Sequence, residues 1–193
     1  VLGSRGLGDV YKRQIWAYAL MDVDESRYVS MSKDMFHTKD FLTLYLNKQF
    51  FFEKPPLYFW GECLSFAFWG RVTEFTARFP VALDGMLCCF TVYFLGKRII
   101  SRGYGVVSSL IFATSLEFLI LAKFAILDIV VATCIGFSLC FGIFTNFCQE
   151  KHKKYCWWLF YIFSGLAVMA KGIPGFVIPV SYTHLRAHET LRH

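Results

Sequence analysis

Four apolar stretches dominate this 193-residue chain, at 79–95, 104–122, 129–148 and 157–170, the last running on to 180. A helix that crosses a bilayer needs roughly 17–25 such residues, because it must traverse a hydrocarbon core of about 30 Å at about 1.5 Å per residue. Composition agrees. The chain is 56% hydrophobic with mean hydropathy +0.46, whereas soluble domains are about 45–50% apolar even with glycine counted. The fold class is therefore an all-α polytopic membrane protein. Lys171-Gly172-Ile173-Pro174-Gly175 interrupts the last stretch, where Gly and Pro predict a helix end and a turn.

The loops set an orientation. Lys97, Arg98 and Arg102 lie between the first and second stretches, and Lys151, Lys153 and Lys154 between the third and fourth. Two crossings separate these loops, so they share a side, and basic loops favour the cytoplasm. The segment 22–78, Asp128 and Lys171 then fall together on the outer face. The net charge of +6 fits such loops; no basic patch interleaved with aromatics points to nucleic acid.

The segment 22–78 is too long for a simple connector. From Asp24, apolar Tyr28, Met31 and Met35 recur at helical spacing, which predicts an amphipathic helix suited to a membrane surface. Leu57–Trp69 is apolar but short for a span, and reads as a second, interfacial helix. Were it to cross, Asp24 and Asp128 would lie on opposite sides.

Charge bordering a bilayer is expensive to desolvate, so it marks sites for substrate, ion or partner. Two acid-plus-base clusters stand out: Asp24-Glu25-Ser26-Arg27-Tyr28 and Glu53-Lys54-Pro55-Pro56-Leu57. Asp24 either caps the helix it begins or serves the chemistry, as a general base or as a carboxylate that orients an acceptor hydroxyl. Glu53 and Lys54 are either a surface ion pair at a helix start or part of a site in which Lys54 and Arg27 hold a phosphate. Asp128 is either an acid favoured by the helix dipole or a second functional carboxylate. Lys171 is either a snorkelling lysine or a further phosphate contact. Glu74 and Arg78 read as a structural i, i+4 pair. Glu62, Asp84 and Glu117, set in apolar runs, have no role at this level, and His37 reads as a solvated residue.

The seven cysteines, Cys63, Cys88, Cys89, Cys134, Cys140, Cys148 and Cys156, form no CxxC pair and read as small hydrophobes between helices. No Walker, Rossmann, HExxH or GxSxG signature occurs. Residues 1–14 and 181–193 resemble translated sequencing-adaptor read-through, an artefact set aside as a fusion scar would be; the alternative is a genuine polar tail. On that reading 15–180 is an internal piece of a longer protein, 15–21 is the tail of another helix, and His184, His188 and His193 are not metal ligands.

Taken together, Asp24-Glu25-Ser26-Arg27-Tyr28, Phe52-Glu53-Lys54-Pro55-Pro56-Leu57-Tyr58-Phe59-Trp60, Glu74-Phe75-Thr76-Ala77-Arg78-Phe79-Pro80, Leu127-Asp128 and Ala170-Lys171-Gly172 resemble, in order and spacing, a family of lipid-linked sugar transferases. This is the protein O-mannosyltransferase and aminoarabinose–lipid A transferase group, of GT-C fold. The resemblance covers about 15–180, the N-terminal part of a member. It implies a large first extracytoplasmic loop carrying amphipathic surface helices. Asp24 would be the leading catalytic acid and Asp128 a second acid at the same cavity. Glu53 would line that cavity, and Arg27, Tyr28, Lys54 and Lys171 would form the donor site around the phosphate of a polyprenyl-phosphate-linked sugar. The acceptor would be a lipid A-like molecule, a glycan or a protein. Some relatives bind a metal ion nearby; no ligands are assigned here and no cofactor is expected. The resemblance implies a multi-pass protein of the bacterial inner membrane whose site faces the periplasm, and a piece this short is expected to be inactive alone. A transporter or channel using Asp24, Asp128 and Lys171 is the rival class, although transporters more often carry paired discontinuous helices near the midplane. A scaffold whose charges merely solvate loops is a third.

Overall fold

The computed structural model describes residues 23–47 and 49–190, with side chains at 25–47 and 49–184. The segment 1–14, the helix tail expected at 15–21, residues 191–193 and the Asp24 side chain lie outside these described residues. The elements are helix α1 (Val23–Thr38), a hairpin of β1 (Tyr45–Leu46) and β2 (Gln49–Phe50), then helices α2 (Leu57–Trp69), α3 (Glu74–Ile99), α4 (Arg102–Ala113), α5 (Leu116–Leu121), α6 (Leu127–Phe144), α7 (Glu150–Lys171) and α8 (Ile173–Thr190). Two of them, α3 and α6, are long and apolar enough to cross a membrane.

Local chemistry sets the boundaries. Pro55 and Pro56 precede α2, and Gly70, at φ 65°, ends it in the left-handed conformation that glycine adopts without strain. Its 13 residues span about 20 Å, short of a bilayer core. Thr73 then opens α3 with a capping box: its hydroxyl accepts from the Thr76 N–H at 3.3 Å, and its own N–H donates to the Thr76 hydroxyl at 2.9 Å. Pro80 sits inside α3 and has no N–H for the Thr76 carbonyl. The buried Ser65 hydroxyl of α2 fills that vacancy, donating to Thr76 O at 2.6 Å, so the proline that weakens α3 also fastens α2 to it.

The second apolar stretch, 104–122, is not one helix. It divides into α4 and α5 at Thr114-Ser115, whose hydroxyls turn back to donate to Leu110 O at 2.8 Å and Phe112 O at 2.9 Å. Such back-bonding competes with the helix ladder. The last stretch becomes two helices joined at Gly172, whose φ of 77° suits glycine alone, and α8 continues through 181–190, part of the tail expected to be foreign.

Cross-contacts orient the bundle. Thr133 of α6 donates to Asp84 O of α3 at 3.1 Å and lies 3.1 Å from Cys88 Sγ. Arg98, at the far end of α3, donates to Phe147 O just past α6 at 2.9 Å, its guanidinium 5.1 Å from the Phe147 ring centroid. Hence α3 and α6 run parallel, and both basic loops lie at the end where they finish. The α7 helix runs back beside α6, with Ser138 and Ser164 hydroxyls 2.8 Å apart and Phe163 stacked on Phe137 and Phe141. Helices α3 and α4 cross closely at Gly96 and Gly105, where a Cβ on Gly105 would come within 2.6 Å of Tyr93 O. Small residues at such crossings let helices approach without a hydrophobic drive between them.

A core of Tyr28, Met31, Met35, Tyr58, Phe59 and Phe66 joins α1 to α2. The bundle's outer surface is apolar as well, with Phe90, Phe94, Leu110, Ile111, Trp158 and Tyr161 exposed, as lipid or further helices require. All seven cysteines are free; Cys148 and Cys156 lie 3.3 Å apart.

Candidate functional site

At the end of the bundle away from the basic loops, Asp128 occupies the first turn of α6 and Lys171 the last turn of α7. Each stands where the helix dipole favours its charge. The two side chains form an ion pair, partly exposed at 40% and 33%. Lys171 also lines a pocket of about 490 Å³ with Phe52, Glu53, Lys54, Pro55, Gly172, Ile173 and Pro174. The structure thus brings Glu53, Lys54, Lys171 and Asp128, drawn from three distant segments, to one place. Two ammonium groups and two carboxylates there can hold a phosphate and still supply a base.

The first cluster is placed differently. Asp24 and Glu25 lie in the first turn of α1. Arg27 is half-buried and is not among the residues lining the pocket. Tyr28 is buried, its ring edge-on to Tyr58 and Phe59 at 6.0 Å from each centroid, in the core between α1 and α2.

Glu74 and Arg78 do not pair as the i, i+4 spacing predicts. Arg78, 3% exposed, is turned inward to the fully buried Glu25. Arg78 Nε donates to Glu25 Oε1 at 2.7 Å and Nη2 to Oε2 at 2.9 Å. Glu25 Oε1 also accepts from the Ala125 N–H at 3.0 Å. A forked, charge-assisted pair meets the desolvation of both groups, while Glu74 stays at the surface. Spacing gave no signal for a partner 53 residues away.

Glu62, without a role at the level of sequence, is fully buried on α2. It accepts from the Ser32 hydroxyl of α1 and from the Tyr58 hydroxyl at 2.7 Å. Burial pushes its carboxyl up to about 8 against the two hydroxyl donors, which lower it, and the nearby Glu25 charge adds to the rise. Burial raises the Tyr58 phenol as well. Among the described residues no group of three or more His, Cys, Asp or Glu stands ready to hold a metal.

Comparison with known proteins gives this geometry a context. Residues 7–187 match the family model described as dolichyl-phosphate-mannose-protein mannosyltransferase. An uncharacterised protein of Aquifex aeolicus is 33% identical over 173 residues, covering 87% of this chain and 34% of that protein. The undecaprenyl phosphate-alpha-4-amino-4-deoxy-L-arabinose arabinosyl transferase of Yersinia enterocolitica is 27% identical, covering 89% of this chain and 31% of the enzyme. In structure, ArnT from Cupriavidus metallidurans bound to undecaprenyl phosphate superposes with a TM-score of 0.82 at 24% identity, covering 91% of this chain and 34% of ArnT. The fold is therefore that of ArnT, an all-α polytopic membrane bundle, and the chain spans about a third of the length of the relatives it matches. Its match across nearly the whole sequence means that the chain belongs to the dolichyl-phosphate-mannose-protein mannosyltransferase family.

Proposed function

We propose that this chain is the N-terminal part of an integral membrane glycosyltransferase that moves a sugar from a polyprenyl-phosphate carrier to an acceptor. The acceptor is a lipid A-like molecule, a glycan or a protein. The enzyme is multi-pass in the bacterial inner membrane, with its site on the periplasmic face. The observation that carries this reading is the meeting of Glu53, Lys54 and Lys171 around one pocket, with Asp128 paired to Lys171, at the end of the bundle opposite the basic loops. The shared fold with an ArnT bound to undecaprenyl phosphate supports the donor class.

In this reading an acceptor hydroxyl attacks the anomeric carbon of the donor sugar and gives its proton to Asp24. The bond from that carbon to the phosphate oxygen breaks, and its electron pair leaves with the phosphate. Lys54 and Lys171 offset the growing charge from one side of the pocket, and Arg27 from the first turns of α1. Such preorganised charge acts most strongly where charge develops during reaction. Asp128 shares Lys171 with the incoming phosphate and lends the site its second carboxylate. Residues 1–14 and 181–193 are outside this machinery in our reading.

The test uses the uninterrupted parent protein, assayed for sugar transfer from a polyprenyl-phosphate donor. Asp24→Asn and Lys54→Ala are each expected to lose most of the transfer. Full transfer in both would remove the site.

A further inference from the structure

Glu25 has no part in the chemistry above, yet two helices and the connector ahead of α6 meet on it. It follows Asp24 in the first turn of α1 and is fully buried. Its carboxylate takes two hydrogen bonds from Arg78 of α3, 53 residues away, and one from the Ala125 N–H, 100 residues away. Ala125 opens the Ala125-Ile126-Leu127-Asp128 segment that leads into α6. We propose that Glu25 is a positioning residue that sets the spacing between Asp24 and Asp128, by holding the start of α1 to the backbone just ahead of α6. This inference rests on the reading of those two acids as one site.

The first turn of a helix has unpaired N–H groups and frays unless something outside the helix holds it. Adjacent Cα atoms are about 3.8 Å apart, so a carboxylate pinned at residue 25 fixes the backbone of residue 24. The segment ahead of Asp128 needs the same help. Ile126 is extended, at φ −126° and ψ 148°, and the buried Ala125 N–H finds its acceptor in Glu25 rather than in a helix ladder. One oxygen, Oε1, serves both Arg78 Nε and Ala125. A side chain shorter by one methylene keeps the charge but does not reach both partners.

Two variants and two readouts test this. Glu25→Asp is expected to lower kcat of the parent protein about 100-fold with the donor KM within about threefold, the signature of misplaced groups rather than lost binding. Backbone amide exchange at Ala125, followed by NMR in detergent micelles, is expected to quicken in Glu25→Asp. Glu25→Gln keeps the length and one oxygen for the Ala125 N–H, so Ala125 should stay protected and kcat of the folded protein should fall far less, while the thermal midpoint drops because Arg78 loses its counter-ion. If Glu25→Asp does not accumulate, Glu25→Gln carries the test alone. Glu25→Asp with kcat near wild type, or Glu25→Gln losing activity while Ala125 stays protected, overturns the proposal. Asp24→Asn and Asp128→Asn separate the two ideas: if they abolish transfer while Glu25→Asp does not, only the positioning role falls. If they too leave transfer intact, the site reading falls and this inference with it.

Discussion

The Lys171 ammonium pairs with the Asp128 carboxylate across 43 residues of sequence, joining the last turn of α7 to the first turn of α6. Because Lys171 also faces the pocket beside Lys54, a phosphate entering there competes with Asp128 for the same cation. Two variants of one ion pair should therefore move different constants. Lys171→Ala raises the donor KM about tenfold, the loss of one half-screened charge. Asp128→Asn leaves that KM unchanged or lower, since it releases Lys171, while kcat falls. Steady-state kinetics of the parent protein with a polyprenyl-phosphate sugar distinguishes these patterns; a raised KM in Asp128→Asn would contradict the sharing.

Lys54 supplies the second cation of the pocket. A charge-assisted hydrogen bond to phosphate is worth about 1.5–3 kcal/mol, so Lys54→Ala should raise the donor KM about 10- to 100-fold. Lys54→Arg keeps the charge and should recover most of that loss. The effect should shrink as salt is added, because the side chain is only half-buried.

The Glu25–Arg78 pair makes a prediction about stability. Removing one partner of a buried pair leaves the other charge uncompensated, at about 3–5 kcal/mol. Arg78→Met is expected to lower stability by that order, as read by thermal unfolding in detergent. Glu25→Met combined with Arg78→Met should recover a large part of the loss. A single variant as stable as the wild type would show that the pair is not closed in solution.

Glu62 should make stability fall with pH. Its folded carboxyl is raised from 4.5 to about 8, so between those values the folded chain holds a proton that the unfolded chain has released. Stability from this group is complete below about pH 4.5 and is lost as pH rises toward 8, at up to about 1.4 kcal/mol per pH unit. Glu62→Gln keeps the shape without the titration. Unfolding midpoints measured across that window should decline for the wild type and flatten for the variant.

The α3–α4 crossing at Gly96 and Gly105 admits no side chain. A Cβ at Gly105 meets Tyr93 O at 2.6 Å and Lys97 N at 2.8 Å, both backbone atoms that move only with the helix. Gly105→Val should cost about 1–3 kcal/mol, while Val at Gly103, where a Cβ meets only the Ser101 hydroxyl at 4.0 Å, should cost less. Comparing the two thermal midpoints checks this.

Much of this arrangement is legible in the residues. Prolines ahead of Leu57 and a glycine after Trp69 bracket α2, and the structure keeps those bounds. Loop charge and span parity place Asp128 and Lys171 at one end, and in the structure they touch. What escapes is long-range pairing. The i, i+4 spacing assigns Arg78 to Glu74, but a buried carboxylate outbids a surface one, and spacing carries no record of burial. The break at Thr114-Ser115 depends on hydroxyls that bond backward, a signal present in the residue types but overridden by hydropathy. The hairpin at 45–50 is likewise hidden among aromatic residues, with Asn47 at φ 52° as its turn signal. The inward turn of Tyr28 follows from the Tyr58 and Phe59 rings of α2, which local spacing does not show.

Titration of the purified parent protein with undecaprenyl phosphate, followed by isothermal calorimetry, bears most directly on a carrier phosphate held between Lys54 and Lys171. Saturable binding is expected in the wild type, with affinity lowered at least about 100-fold when both lysines are changed to alanine. Equal affinity in the double variant would mean that the phosphate lies elsewhere.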